Sequence, residues 1–329
     1  PRPAVAKAPV TRKEKIAVIG AGPAGLTAAQ DLARRGYQVV VFEELPKAGG
    51  MMRYGIPEYR LGRLVIDAEI ADIEALGVEL RTNTRVGKDI SFDKLRRDFD
   101  AVVLATGAHK SWTLDVEGEN LKGVWGAVEF LREVNLGKKA SIGKRVAVIG
   151  GGNTAIDAAR TAVRLGAKEV TILYRRERKD MPAWENEIEA ALAEGVKIEY
   201  LVAPVRFTGE KGKLKKIVCQ RMQLGEFDRS GRRKAVPIAA GEFELSVDTV
   251  IPAISQSSDT SFIPEAAGIR ITKNGTFELS GRSRTQSSAE GVFVAGDAVL
   301  GPATVVEAIA GGHLAAQEVD GFIRERNHE

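Results

Sequence analysis

Apolar residues in this chain fall into short unbroken runs, each followed by a longer stretch with apolar positions three and four apart. The runs at 16–20, 38–43, 78–81 and 100–105 predict strands, and the stretches at 23–35 and 64–76, closed by Gly36 and Gly77, predict helices. The pattern restarts at Lys144, with strands at 145–149, 169–174 and 196–201 and helices at 154–165 and 182–194. Unbroken apolar strands alternating with helices predict parallel sheets covered on their faces. Between 203 and 250 the period changes to two, with turn signals at GEKGK and DRSGRR, which predicts an antiparallel meander. Further strands follow at 247–253 and 292–295, then the turn GDAVLGPA and a long helix over 303–325. The segment KAGGMMRYGIPEYRL, rich in Gly and Pro, reads as a loop, and the opening PRPAVAKAPVTRK reads as a linker.

The same sentence is written twice. IAVIGAGPAG (16–25) and VAVIGGGNTA (146–155) each run from a strand through G-x-G-x-x-G/A into a helix, the dinucleotide-binding fingerprint. In the first copy Gly20 allows the tight turn, Gly22 lets backbone approach a pyrophosphate, and Gly25 lets helix pack on strand. The second copy uses Gly150, Gly152 and Ala155. The strands that follow end differently: the first in Glu43 and Glu44, the second in Arg175 and Arg176. An acid there accepts hydrogen bonds from a free ribose, whereas an arginine pair suits a ribose 2′-phosphate. The chain therefore reads as holding two different nucleotides, the second NADP(H). The stretch AGDAVLGPATVVEAIAGG, a loop with an acid running into a helix start, is expected to return to the first domain and close over its cofactor.

Composition narrows the class. Hydrophobic content of 44% and charged content of 28% are ordinary for a globular protein, and a net charge of +4 demands no polyanionic partner. The basic runs RRERK, KGKLKK and GRRK lack a nucleic-acid motif, so no nucleic-acid partner is expected. No signal peptide or spanning apolar run is visible, so no membrane partner and a cytoplasmic location are expected. The single cysteine, Cys219, excludes an internal disulfide, a redox dithiol or a cluster held by this chain, and its alternating surroundings predict a buried or half-buried strand position. His109, His313 and His328 form no constellation, and Glu185, Glu187 and Glu189 read as one solvated helix face. No metal site and no catalytic side chain are expected.

VIGAGPAGL with FEE, GGMMRYGIPEYRL, LATGA, VIGGGNTAIDAAR, YRRERKDMPA and GVFVAGDAV lie in order along nearly the whole chain. Together they resemble the small (beta) subunit of NADPH-dependent glutamate synthase. They are similar also to its relatives, the NADPH–ferredoxin oxidoreductase subunits and the flavin and NADPH portion of dihydropyrimidine dehydrogenase. The combination is specific to that superfamily rather than to one member. The resemblance implies an α/β fold of two interleaved Rossmann-like, glutathione-reductase-type domains with an antiparallel β insertion. Residues 1–13 would be a tail, 14–110 with 260–329 an FAD-binding domain, and 111–259 an NADP(H)-binding domain. It implies FAD at the first site, with Gly22, Pro23, Ala24 and Gly25 facing the pyrophosphate and Glu43 the adenosine ribose. Gly50, Met51, Met52 and Arg53 would run beside the isoalloxazine, with Arg60 a further contact. Ala105, Thr106 and Gly107 would line the nucleotide side, Gly296 and Asp297 hold the ribityl chain, and Thr304 and Val305 bring a helix N-terminus to the flavin. NADPH would meet Gly152, Asn153, Thr154, Arg175 and Arg176.

Two departures stand out: Gly62 occupies a position where relatives usually carry Pro, and Ser255 one where many carry Gly. Relatives usually begin with a cysteine-bearing iron–sulfur domain, and the linker-like start of this chain lies where that domain would end. The expected reaction is hydride transfer from NADPH to FAD followed by electron release to an iron–sulfur partner, a ferredoxin-like domain or the glutamate synthase large subunit. One cysteine is too few for a disulfide reductase, and AHKSW does not match the fingerprint of Baeyer–Villiger monooxygenases. The alternative is a nucleotide-binding assembly or redox-sensing subunit without turnover.

Overall fold

The computed structural model describes residues 5–228, 231–281 and 283–328. In chain order the elements are β1 (Lys15–Ile19), α1 (Pro23–Arg34), β2 (Gln38–Phe42), α2 (Met51–Tyr54), α3 (Arg63–Ala75), β3 (Glu79–Arg81), α4 (Phe92–Asp98), β4 (Ala101–Leu104) and β5 (Lys110–Ser111). There follow α5 (Ala127–Asn135), β6 (Arg145–Ile149), α6 (Asn153–Arg164), β7 (Glu169–Tyr174), α7 (Glu185–Ala193), β8 (Lys197–Tyr200), β9 (Val202–Glu210), β10 (Lys213–Phe227), β11 (Arg233–Ser246) and β12 (Thr249–Pro252). The chain closes with β13 (Gln256–Ser257), β14 (Val292–Val294), α8 (Asp297–Leu300) and α9 (Val305–His328).

Two compact units result: Pro1–Tyr54 with Glu58–Lys110 and Gln256–Glu329, and Gly55–Pro57 with Ser111–Ser255. The return crossing thus falls at 255/256, slightly before the expected 259/260. In the first unit five parallel strands are ordered β14-β4-β1-β2-β3. Side chains alternate across β1, so Ile16 and Val18 join a core with α1, α3 and α9, while Ala17 and Ile19 join another with Phe42, Phe92 and Leu95. Helices α1 and α9 meet closely because Gly312 carries no β-carbon, which would come within 2.4 Å of the Ala24 carbonyl.

In the second unit four parallel strands are ordered β12-β6-β7-β8. Val146 and Val148 face α5 and α6, while Ala147 and Ile149 face the antiparallel sheet β11-β10-β9. The insertion therefore covers one sheet face where a helix layer would otherwise lie. Cys219 is fully buried on β10, and burial pushes its thiol up to about 12.

Several expectations change. Residues 8–12 are no free tail: the Ala8 N–H donates to Leu76 O (3.0 Å), and those of Thr11 and Arg12 to Gly36 O (3.1 Å each). Residues 1–4, and Arg229 and Ser230 of the DRSGRR turn, lie outside the described residues. The KAGGMMRYGIPEYRL loop contains α2, the GDAVLGPA turn contains α8, and α4 and α5 were not foreseen. Helix α7 begins at Glu185, later than expected, after a 3-10 turn at Arg178–Asp180. Glu187 leaves the solvated face: Glu185 and Glu189 both reach Arg178, while Glu187 turns inward to Arg160 (2.5 Å). Residues two apart on a helix lie about 200° apart around the axis, so the three acids could not share a face. Among the described residues no helix is long and apolar enough to cross a membrane.

Candidate nucleotide-binding sites

The first glycine turn follows β1. Gly20 has φ +103, and a β-carbon there would lie 2.4 Å from the Ala105 carbonyl oxygen. One at Gly25 would lie 2.0 Å from the Gly20 oxygen, so this glycine seats α1 on the turn. Gly22 is the N-cap of α1 in extended backbone, Pro23 follows at its start, and no side chain caps the helix. The first-turn N–H groups and the positive helix end are thus presented to an anion. The Gly49 N–H donates to Ala21 O (2.8 Å), bringing the α2 approach against this turn. Gly50, at φ +50, passes so close that its β-carbon would meet Gly22 Cα at 2.6 Å.

Glu43, at the end of β2, is 6% exposed. Its Oε2 accepts the Ala21 N–H and its Oε1 the Leu45 N–H, each at 2.8 Å. Burial raises its pKa, opposed by these two bonds. The carboxylate therefore stiffens the turn, and each oxygen keeps a second lone pair for a ligand hydroxyl.

A cleft of about 1080 Å³, including its open mouth, lies over these elements within the first unit. Gly20, Gly22, Pro23, Ala24, Glu43, Glu44, Gly50, Met51, Met52, Ala105, Thr106, Gly107, Asp297, Thr304 and Val305 all line it. Sequence reasoning missed Thr84, Arg85, Val86, His109, Asp259 and Phe262, which also line it. His109 directly follows the LATGA motif; the loops of the others carry no motif, and only proximity in the fold marks them.

Four expected residues stand apart from the lining. Gly25 and Gly296 lie behind it, the latter at φ +66 with a β-carbon position 2.8 Å from Ala24 Cβ. Arg53 is buried, donating from Nε to Ala48 O (2.5 Å) and pairing with Asp67, and so holds α2 on α3. Arg60 also lies outside the lining. Gly62 caps α3 at φ −60, an angle proline shares, and nothing lies within 4 Å of its β-carbon position.

At the C-terminal wall, burial and then Glu307 push Asp297 up to about 6, opposed by a bond from the Ala303 backbone. Thr304 and Glu307 form a reciprocal box: the Thr304 N–H donates to Glu307 Oε2 (2.8 Å) and the Glu307 N–H to Thr304 Oγ1 (3.2 Å). The residues fit a flavin dinucleotide on two counts: the Gly22–Gly50 approach forms a cradle that a β-carbon would fill, and the buried Thr106 Oγ1 has no partner among the described residues. A buried hydroxyl without a partner is costly, and a ligand's polar edge would satisfy it.

The second turn follows β6. A β-carbon at Gly150 (φ +142) would lie 2.3 Å from the Ala253 oxygen, and one at Gly151 2.5 Å from the Tyr174 ring. Gly152 caps α6 with no side-chain cap, as Gly22 caps α1, and Asn153, Thr154 and the fully buried Ala155 form its first turn. Asn153 Oδ1 accepts the Trp184 N–H (3.1 Å) and the Ala183 N–H donates to Gly151 O (3.1 Å), so the MPAW segment lies against the turn. The arginine pair is divided: Arg175 is exposed, whereas Arg176 is 5% exposed and engaged by Arg233 O (2.7 Å) and Asp228 Oδ2 (3.1 Å). Among the described residues no three metal-ligating side chains cluster.

The profile of a family described as pyridine nucleotide-disulphide oxidoreductase matches residues 14–312. The chain is 50% identical to the NADP(+)-dependent formate dehydrogenase subunit beta of Moorella thermoacetica, over 96% of its own length and 45% of the relative's. It is 36% identical to the glutamate synthase [NADPH] small chain of Escherichia coli, over 93% of itself and 68% of that protein. It thus spans about half the length of the first relative and two thirds of the second. Among solved structures, Mycobacterium tuberculosis FprA in complex with NADPH shares the fold, with a TM-score of 0.82 at 21% identity over 96% of this chain and 86% of that one.

Proposed function

We infer the function from one premise: the chain belongs to the pyridine nucleotide-disulphide oxidoreductase family. It is an oxidoreductase, and its cofactors are FAD and a pyridine nucleotide. We propose that it is a cytoplasmic electron-transfer module that takes hydride from NADPH and delivers electrons to an iron–sulfur protein or subunit. The observation that carries this reading is the pair of uncapped glycine turns with opposite charge beside them, Glu43 at one and Arg175 at the other. The only thiol of the chain is sealed in β10, so it offers no dithiol as the next carrier.

When bound, FAD supplies hydride acceptance and one-electron release. The protein supplies position and field. Gly22, Pro23 and Ala24 give the pyrophosphate a helix N-terminus, and Glu43 offers its remaining lone pairs to the ribose. Met51 and Met52 wall the cleft with apolar surface, Thr106 contributes a hydroxyl, and Asp297 with the start of α9 closes the C-terminal side. In the second unit Gly152, Asn153 and Thr154 receive the NADPH pyrophosphate, and the exposed Arg175 favours a 2′-phosphate over a free ribose. The partner reading is supported by the relative's designation as subunit beta.

The test is anaerobic addition of NADPH to the FAD-loaded protein. The visible band of oxidised flavin should bleach, and NADH should bleach it more slowly at equal concentration. Flavin that binds tightly yet stays oxidised would overturn the reading in favour of a nucleotide-binding assembly or sensing subunit.

A further inference from the structure

The arginine pair at the end of β7 does not act as a pair. Successive residues of an extended chain point to opposite sides. Arg175 therefore faces solvent, and Arg176 turns into the second unit, toward the turn that joins β10 to β11. Its Nε and one terminal nitrogen are taken by Arg233 O (2.7 Å) and Asp228 Oδ2 (3.1 Å). Its side-on fork, Nε with one terminal nitrogen, is therefore occupied, and at 5% exposure it is turned away from solvent.

The same carboxylate reaches further. Asp228 Oδ1 accepts the Arg232 N–H (3.2 Å), and the Asp228 N–H donates to Arg232 O (2.7 Å). Arg176 thus fixes the base of the turn, and the turn carries Arg232 at an exposed position beside the end of β7. The charges agree with that placement. Desolvation, then the charge of Arg176, and more weakly that of Arg232 lower the Arg175 guanidinium below its usual value, partly offset by Tyr174 and Asp228. A cation crowded by cations is a site that an anion relieves.

We propose that Arg232, held by Asp228 where the chain enters β11, completes the 2′-phosphate site. Arg232 is the second cation beside Arg175, and Arg176 is a positioning residue that holds the turn through Asp228. The antiparallel insertion would then set nucleotide preference as well as cover a sheet face. This inference rests on the NADP(H) reading above.

The test is steady-state kinetics of the FAD-loaded enzyme with NADPH and NADH, using ferricyanide as acceptor. Arg232→Ala should raise KM for NADPH about tenfold, with kcat and the KM for NADH unchanged, and Arg232→Lys should recover part of the loss. Arg176→Lys keeps the charge but loses the fork, and should raise KM for NADPH similarly. The double variant should be no worse than Arg232→Ala alone, because both act through one turn. Additive losses, or an Arg232→Ala enzyme like the parent, would overturn the proposal. Arg175→Ala separates the two readings. If it raises KM for NADPH alone while Arg232→Ala does nothing, only the role of the turn fails. If Arg175→Ala affects both nucleotides equally, the NADP(H) reading fails with it.

Discussion

Asp297 shows how one side chain can serve a cleft at the expense of the empty fold. It opens α8 behind Gly296, and burial against the C-terminal wall pushes its carboxyl up to about 6 from an ordinary 3.8. Below about pH 4 both folded and unfolded chains hold the proton, so the residue has no effect on stability. As pH rises from about 4 to about 6 the unfolded chain gives up its proton while the folded one keeps it, so stability falls, and above about 6 the loss is complete. Flavin-free Asp297→Asn should therefore be more stable than the parent at pH 7.5, by up to about 3 kcal/mol at 1.36 kcal/mol per unit. The gain should vanish near pH 4, and urea titrations at the two pH values would measure both. A gain of equal size at both would show that the carboxylate's charge is not the cause. The same substitution should weaken FAD binding, since the carboxylate lines the cleft.

Among the elements, α6 and α7 are joined by a cluster that single residues do not reveal. Arg160, with its side chain 11% exposed, reaches Glu187 (2.5 Å) and Glu194 (2.8 Å), and Arg164 adds a second cation to Glu194. Together they hold the Glu194 carboxyl down at about 2. Arg160→Met should destabilise the protein by about 3 kcal/mol by urea denaturation, because it leaves two partly buried carboxylates short of a partner. A loss within about 0.5 kcal/mol would mark the cluster as surface-like. The strands and the two fingerprint helices were legible because unbroken apolar runs and glycine spacing are local properties. Helix α2 was hidden because four residues between glycines carry no period, and α5 because Ala127–Asn135 gave no start signal beyond Gly126. Glu187 was misplaced, and the burial of Arg176 not foreseen, for one reason: the partner that turns each inward lies 27 or 52 residues away. Most of the cleft lining was readable from motifs, whereas Thr84, Arg85 and Phe262 enter it only through the path of the chain.

The molecule as a whole is discontinuous in sequence. The first unit is interrupted by nearly all of the second, and its sheet is finished only when β14 pairs with β4. Its cleft joins residues near 20, 50 and 105 to residues near 300, so a dinucleotide there ties distant segments of one unit together. A ligand that binds only the folded form stabilises by RT ln(1 + [L]/Kd), about 2.7 kcal/mol at one hundred times Kd. The second unit has its own cores around β6 and β7 and its own glycine turn, so a nucleotide bound there would act on other segments. Hydrogen exchange read by mass spectrometry should therefore divide cleanly. FAD should slow exchange across 16–54, 101–107 and 293–308 together, although these stretches are far apart in sequence. NADP+ should slow it across 146–164 and also at 231–233, where the β10–β11 turn meets the end of β7. If FAD protected the N-terminal stretches and left 293–308 unchanged, the C-terminal segment would not belong to the flavin seat and the roles given to Asp297, Thr304 and Val305 would fall. Protection by NADP+ that stopped at α6 would leave the insertion with only its packing role.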